Sequence, residues 1–189
     1  MSGEPTSGHV QEITLRELED REFELVREID RTERIDAIYV QQGTRLELRS
    51  GDFSAPAWRK QGTGGHSVAG QVAAIRKYVQ AGAIALGAFD TGRLVGIGVV
   101  TPHLRPTLAQ LAYLHVSAGH RGRGIGSRLA TELESIARRA GDTAIVVSAT
   151  PSVSTVRFYE AHGFRPLAEP LAELYALEPE DVHMAKALA

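Results

Sequence analysis

The chain has 189 residues, a formal net charge of -2, 43% hydrophobic and 23% charged residues, and no cysteine. This length fits one domain with a substantial core, and the composition is that of a globular protein rather than a disordered one. The lack of cysteine excludes disulfides, cysteine-ligated zinc, iron–sulfur clusters and a cysteine nucleophile. The nearly balanced charge argues against strong overall binding to nucleic acid or anionic lipid, and no apolar run is long enough to span a membrane.

The N-terminal segment differs in composition from the rest of the chain. Residues 1–11 are small and polar, without the basic start and apolar stretch of a secretory signal, and they predict a flexible tail. Residues 12–189 are then expected to form the single domain. The expected protein is soluble and cytoplasmic.

The first half of the chain alternates between strand-like and helix-like patterns. Apolar residues at every second position indicate strands, and apolar residues at three- and four-residue spacing indicate helices. The predicted elements are a strand at 12–17, a helix at 19–35, hairpin strands at 37–41 and 45–49, a loop at 51–65 and a helix at 67–80.

The second half continues the alternation with clearer signals. The stripe from Ile125 to Ala140 is the most regular helical pattern, and Gly141 stands where helices commonly end. The predicted elements are strands at 83–89 and 94–101, a break at 102–106, a strand at 108–117, a helix at 124–140, a strand at 144–149, a helix at 152–162, and strands at 164–167 and 181–188. This order predicts an α/β domain built around a mixed sheet.

A glycine- and arginine-rich loop lies between the strand that ends at Val116 and the helix that starts near Gly124. Glycines at 122, 124 and 126 allow the backbone to come close to a ligand. The first turn of the helix offers N–H groups without partners and the positive end of the helix dipole, and Arg121 and Arg123 add cationic donors. A strand, a glycine turn and a helix N-terminus together predict a cradle for phosphate or pyrophosphate.

Several known phosphate-binding motifs contain glycine-rich loops, and the sequence excludes some of them. A Walker loop needs Gly-Lys-Ser/Thr and there is no lysine in this loop, while the Rossmann pattern is broken by Ser127 after Gly122-x-Gly124. An Arg-Gly repeat also occurs in RNA-binding segments, but the amphipathic helix that follows argues against such a disordered repeat. The alternative is that the loop has no ligand and is simply a tight strand-to-helix turn with solvated arginines.

The loop resembles the Gln/Arg-x-x-Gly-x-Gly/Ala signature of the GNAT (N-acetyltransferase) superfamily, as Arg121-Gly122-Arg123-Gly124-Ile125-Gly126. A second segment, from Ser152 to Gly163-Phe164 and including Phe158-Tyr159, is similar to the second signature of that family. The two occur in the family's order, one helix and one strand apart. The similarity covers Leu108 to Leu167, about a third of the chain, and its flanks resemble a poorly characterised bacterial branch.

This resemblance implies the GNAT fold, a single α/β domain with a mixed, centrally splayed sheet flanked by helices, and acetyl-CoA as the cofactor. The pyrophosphate would lie against the glycine loop, and the pantetheine arm would run along the preceding strand. The residues implied in cofactor binding are Leu114, His115, Val116, Arg121, Gly122, Arg123, Gly124, Ile125, Gly126, Ser127, Ser152, Phe158 and Tyr159. A backbone N–H of that strand would stabilise the oxyanion of acyl transfer.

The resemblance implies a general acid more clearly than a general base. Tyr159 occupies the family's general-acid position, although a tyrosine there could also be a core residue. Many relatives carry a glutamate base where Gln110 stands, and an amide does not take a proton at neutral pH. His115 is the titratable residue of that strand, on the face opposite Leu114 and Val116, where a structural role is equally open. The other candidate bases are His183, Glu178, Asp30 and Glu33, and a water chain to solvent is also allowed.

The acceptor site has weaker signals. Asp30 and Glu33 could recognise a cationic acceptor, or could belong to an exposed helix face. Ser152 replaces an asparagine that contacts the pantetheine arm in many relatives, and it could instead cap the following helix. Trp58 could form a wall or lid of the acceptor site.

The sequence therefore predicts an acetyl-CoA-dependent N-acetyltransferase that transfers an acetyl group directly, in a ternary complex, to a primary amine of a small molecule or peptide. No metal, nucleic-acid or membrane partner is implied. Dimers are common in the superfamily, but the sequence specifies no interface. The alternatives are a GNAT-fold module that binds acyl-CoA as a sensor or scaffold without turnover, and an RNA-binding basic loop.

Overall fold

The computed structural model describes residues 12–188, so the predicted tail at 1–11 lies outside the described residues. The strands are β1 (Thr14–Glu17), β2 (Glu33–Gln42), β3 (Arg45–Ala55), β4 (Ile84–Asp90), β5 (Arg93–Arg105), β6 (Leu108–Val116), β7 (Ala144–Ala149), β8 (Arg165–Pro166) and β9 (Val182–Ala187). The α-helices are α1 (Val68–Gln80), α2 (Ile125–Ala140), α3 (Val153–Ala161) and α4 (Ala172–Leu177), and 3₁₀ helices span Asp20–Glu28 and Ala118–His120.

Seven strands form one mixed sheet, in the order β1-β4-β5-β6-β7-β9-β8, and β2 and β3 form a separate hairpin. All neighbours in the large sheet are antiparallel except β6 and β7, which are parallel. The predicted mixed sheet is thereby confirmed.

The sheet opens at its centre. The parallel pairing of β6 with β7 extends only over Leu108–Gln110, opposite residues 144–146, although both strands continue beyond it. On its other side β6 stays paired with β5 as far as Val116, with a bulge that leaves Ala112 without a partner. A bulge bends the strand that carries it. The second half of β6 therefore separates from β7 and leaves a cleft between them.

Two apolar clusters hold the sheet between layers of helices. On one face α2 and α3 pack through residues such as Leu129, Leu133 and Val156. On the other face α1 and the first 3₁₀ helix pack through residues such as Phe23 and Ile75. Both faces of the sheet are thus fixed by buried side chains.

The predicted first helix is too long at its C-terminal end. Instead of reaching residue 35 it ends at Glu28, and β2 begins at Glu33. Ile29 is extended, and the Asp30 carboxylate accepts hydrogen bonds from the N–H and the hydroxyl of Thr32, at 2.9 and 2.7 Å. Such a side-chain turn competes with helical hydrogen bonds, so it explains why the helix stops here.

Two strand boundaries and one short helix also differ from the prediction. β3 continues to Ala55 into the predicted loop, and β5 continues to Arg105 through Pro102. The short helix α4 was not predicted at all, because six residues are too few to establish a helical period.

Among residues 12–188, no helix is long and apolar enough to cross a membrane.

A buried ion pair joins α2 to β9. The side chain of Glu134 is 5% exposed, and its carboxylate accepts hydrogen bonds from Lys186 at 2.7 and 2.8 Å and from Arg138 at 3.2 Å. We expect Lys186→Met to lower the free energy of unfolding by about 3 kcal/mol, because it leaves a buried carboxylate with one exposed partner. Urea denaturation measures this loss.

The matched control is Arg139→Met, which breaks an exposed pair with Glu132 on the same helix. Its expected loss is below about 1 kcal/mol. Equal losses for the two variants would contradict the role assigned to Lys186.

Candidate active site

The glycine loop leads directly into the N-terminus of α2. Gly122 and Gly124 have φ angles of 73° and 75°, a left-handed conformation that favours glycine. A Cβ atom at either position would meet nothing within 4 Å, so both glycines face open space. The N–H groups in the first turn of α2 have no partner within the helix. The loop therefore presents free donors and a positive helix end to a cavity of about 510 Å³.

Gly126 is needed for a different reason. A Cβ atom there would lie 3.4 Å from the ring of Phe158 and 3.7 Å from Val116. The helix start thus packs closely against α3 and β6, and Gly126, Ser127 and Phe158 form one wall of the cavity. Ile125 lines the same cavity but is 1% exposed and belongs to the core.

Arg121 is held by backbone carbonyls rather than free in solvent. Its guanidinium donates to the carbonyl oxygens of Val116, Thr32 and Arg31 at 3.2, 3.0 and 3.1 Å, and it lies 3.8 Å from Glu33. It therefore ties the segment before β2 to the end of β6. An ordered arginine in an ordered strand–loop–helix is unlike a disordered RNA-binding repeat.

Arg123 and His120 meet a buried carboxylate. Asp90, at the turn between β4 and β5, is 8% exposed, and its Oδ2 lies 3.2 Å from His120 Nε2 and 3.4 Å from Arg123 Nη1. This contact fixes the loop to the neighbouring hairpin. The backbone of the loop is accordingly better placed than the arginines to make the main contacts with an anion.

β6 supplies the floor of the cavity with Leu114, His115 and Val116. Leu114 and Val116 pack towards the α2 side of the sheet. His115 points to the other face, where its ring meets Trp58 edge-on at 5.2 Å and Tyr113 at 4.6 Å. Trp58 thus forms a buried wall behind His115 and is itself 6% exposed.

The surroundings of His115 make it a poor base. Burial, and to a lesser extent the positive charges of Arg31 and Arg121, lowers its pKa to about 3. The imidazole is therefore neutral at physiological pH and does not retain a proton taken from an ammonium group. His115 can still donate or accept a hydrogen bond in the cleft.

Tyr159, on α3, also lines this cavity. It is 4% exposed, and its ring packs edge-on against Phe158 and Phe164 at 5.2 and 5.3 Å. No side-chain hydrogen bond among residues 12–188 involves its hydroxyl, which is not fully buried and stays open to the cavity. Burial, together with the negative charge of Asp181, raises the pKa of this hydroxyl well above its usual value. The group is therefore a protonated donor at the junction of the cleft.

A second cavity of about 340 Å³ continues from the first. It lies between β6 and β7 on the α1 side and contains Tyr113, Ser148, Glu178 and Asp181. The residues common to both cavities are Glu33, Leu114, His115, Arg121, Thr155 and Tyr159. A molecule in the first cavity and a molecule in the second would meet at these residues.

The structure does not bring every predicted residue to the cleft. Ser152 is 1% exposed and lines neither cavity, because its hydroxyl accepts from Thr155 N–H and caps α3. Asp30 also lies outside both cavities, since its carboxylate is held by Thr32. Glu33 does line the cleft, where it accepts a 2.5 Å hydrogen bond from Ser154.

Sequence reasoning overlooked Asp181, Tyr113 and Thr155. Tyr113 could have been found, because it shares the alternating face of β6 with His115. Asp181 could not, because its position in the cleft depends on how β9 returns beside β7. A larger groove of about 1110 Å³ between β1 and α2 lies away from these residues.

Comparison with known proteins is consistent with this geometry. Residues 71–164, about half of the chain, match the sequence profile of the Acetyltransferase (GNAT) family. A search of curated proteins found no match.

Solved structures match nearly the whole chain. Nourseothricin acetyltransferase is 17% identical, with a TM-score of 0.71, over 94% of this chain and 99% of its own. A Bacillus anthracis protein assigned as a streptothricin acetyltransferase, solved with acetyl coenzyme A, is 17% identical with a TM-score of 0.67, over 92% and 96%. PaiA N-acetyltransferase from Thermoplasma acidophilum, solved with coenzyme A, is 18% identical with a TM-score of 0.60, over 93% and 99%. At these identities the similarity establishes the fold alone, and it confirms the predicted GNAT fold.

Proposed function

We propose that this chain, which belongs to the GNAT acetyltransferase superfamily, uses acetyl-CoA to acetylate a primary amine of a small molecule or peptide by direct transfer. The observation that carries the proposal is the meeting of two cavities at Tyr159. One is bounded by a glycine loop and a helix N-terminus, and the other contains carboxylates.

The first cavity fits the anionic half of acetyl-CoA. The space beside Gly122 and Gly124 would be filled by any side chain, and the N–H groups from Gly122 to Ser127 would hold the pyrophosphate. The edge of β6 from Leu114 to Val116 has no strand partner on the β7 side. Its backbone would hold the pantetheine arm, and a free N–H there would stabilise the oxyanion.

Tyr159 supplies the acid of the reaction. Bound acetyl-CoA provides a thioester whose acyl carbon a neutral amine can attack. The Tyr159 hydroxyl keeps its proton at all physiological pH values, because burial raises its pKa, and it donates this proton to the leaving sulfur. His115 stays neutral and orients groups at the same point of the cleft.

The second cavity would hold the acceptor. Its Glu178 and Asp181 favour a cation, and aromatic walls from Tyr113, Trp58 and His115 exclude water from one side. The related fold of nourseothricin acetyltransferase supports a small acceptor molecule.

The proposal is tested by release of coenzyme A thiol from acetyl-CoA in the presence of single amines. A suitable panel contains 1,4-diaminobutane, spermidine, lysine amide, kanamycin and a short peptide with a free N-terminus. We expect amine-dependent thiol release with at least one class, and a mass increase of one acetyl group on that amine. Binding of acetyl-CoA without release across the panel would favour a sensor or scaffold, and a steeply salt-dependent affinity for RNA would favour the basic-loop alternative.

A further inference from the structure

Two carboxylates lie at the acceptor end of the cleft without a cationic partner. Asp181 and Glu178 belong to the turn between α4 and β9, where the Asp181 N–H donates to the Glu178 carbonyl at 3.2 Å. Asp181 is half-buried and Glu178 lies at the rim. Neither side chain forms a salt bridge within residues 12–188, whereas Glu33, the other acidic residue that lines the cleft, lies 3.8 Å from Arg121. Both carboxyl groups therefore remain available to a cationic ligand.

The groups around Asp181 come from four parts of the fold. On its own turn and on β9 are Glu178 and His183, whose Nε2 lies 3.1 Å from the Glu178 carbonyl. Tyr159 faces it from α3 and His115 from β6. On the far side of the cavity are the charged side chains of Arg31, Glu33, Arg121 and His66.

Two of these groups, His115 and His183, are poor proton acceptors near neutral pH. Arg121 and Glu33 contact each other, and Arg31 lies 5.7 Å from the Trp58 ring. His183 has a lowered pKa, mainly because of burial, and its ring nitrogens contact Ser148 and the Glu178 carbonyl. The pKa of His115 is lowered still more.

Tyr159 is an independent sign that this space receives a ligand. The residue is only 4% exposed and lines both cavities. Its hydroxyl forms no hydrogen bond with any described residue. The hydroxyl itself is open to the two cavities, so it can donate a hydrogen bond to a ligand there. The acid of the reaction and the two carboxylates therefore share one compartment.

We propose that Asp181 binds the ammonium group of the acceptor and takes its proton, while Glu178 at the rim strengthens the attraction for cationic acceptors. This inference rests on the proposed acetyl transfer. It assigns to Asp181 the function that Gln110 does not provide.

The proton balance requires one such acceptor. The acceptor ammonium loses one proton to the Asp181 carboxylate, and its nitrogen lone pair forms the new bond to the acyl carbon as the bond from carbon to sulfur breaks. The leaving sulfur takes the Tyr159 proton, and the tyrosine regains a proton from the acetylated nitrogen. Asp181 then releases its proton to solvent, so that the products are the amide, the free thiol and one proton.

Burial, and to a lesser extent the negative charge of Glu178, raises the pKa of Asp181 to about 7. The carboxylate has to be ionised to accept a proton. Activity should therefore rise with pH through about 7 and level off above it, the direction expected for a base with that pKa.

The test is the pH profile of kcat/KM with the best amine of the panel. For Asp181→Asn we expect a loss of about 100-fold at pH 8 and the disappearance of the rise near pH 7, with the affinity for acetyl-CoA unchanged. For Glu178→Gln we expect the midpoint of the rise to move to lower pH, because removing a neighbouring negative charge lowers the pKa of Asp181.

Glu180→Gln is the matched control, because it removes the same charge from an exposed position between the two residues. Its profile should match that of the unmodified protein. If that protein releases thiol but Asp181→Asn keeps the rise near pH 7, the inference is wrong and the proposed function stands. If no amine releases thiol from the unmodified protein, the proposed function is overturned, and this inference with it.

Discussion

Replacing Gly124 with glutamate should abolish acetyl-CoA binding while the fold survives. Gly124 faces open space at the start of α2, where the pyrophosphate would lie. Two like charges about 4 Å apart repel by about 4 kcal/mol at the effective dielectric of a protein surface, which is about a thousandfold in affinity. Titration calorimetry measures the loss, and circular dichroism reports whether the fold is retained.

Two variants separate charge from backbone strain. Gly124→Ala keeps the site neutral but places a Cβ at a φ of 75°, which costs about 1 kcal/mol of stability and should leave most of the affinity. Gly119→Glu adds the same charge to an exposed position of the same loop that lines neither cavity. A normal affinity in Gly124→Glu would mean that the glycine loop is a structural turn and not a cradle.

Replacing Tyr159 with phenylalanine should lower turnover by at least about 100-fold without weakening acetyl-CoA binding. The change removes only a hydroxyl that has no protein partner among the described residues. Packing against Phe158 and Phe164 is preserved, so the free energy of unfolding should change by less than about 0.5 kcal/mol. Steady-state kinetics with the best amine and calorimetry with acetyl-CoA measure the two quantities.

Tyr175→Phe is the control, since Tyr175 on α4 is 52% exposed. It should leave turnover unchanged. A Tyr159→Phe variant with normal turnover but reduced stability would assign Tyr159 to packing alone.

The fold and the cofactor half of the site were predictable because their signals are local. The apolar run that predicted β6 and the apolar stripe that predicted α2 each lie within a short stretch of the sequence. The glycines between them adopt positive φ angles, a local requirement that can be recognised from the sequence of the loop alone. Such local patterns predict the secondary structure of their own segment, so the order of strand, loop and helix could be predicted from the sequence.

The acceptor half was less predictable because it depends on long-range placement. Asp30 and Glu33 looked alike in sequence, yet the Thr32 turn removes one from the cleft and leaves the other. Asp181 becomes important only because β9 pairs with β7 and carries the preceding turn to the open end of the cleft.

The general base illustrates the same limit in electrostatic terms. His115 has the side chain with the most suitable pKa in water, but burial beside two arginines lowers that pKa to about 3. Asp181 has an unsuitable pKa in water, but burial and Glu178 raise it to about 7. The sequence names the groups, and only their packing decides which of them can hold a proton.

The most direct test of the account is the thermal unfolding of the unmodified protein with acetyl-CoA, coenzyme A, NAD, ATP or no ligand. A ligand at a hundred times its dissociation constant stabilises the folded state by about 2.7 kcal/mol, which is a shift of roughly 5–10 °C for a chain of this size. The account predicts such a shift with acetyl-CoA and coenzyme A and none of that size with NAD or ATP. The absence of a shift with either form of coenzyme A would contradict the central claim that the cleft between β6 and β7 binds acetyl-CoA.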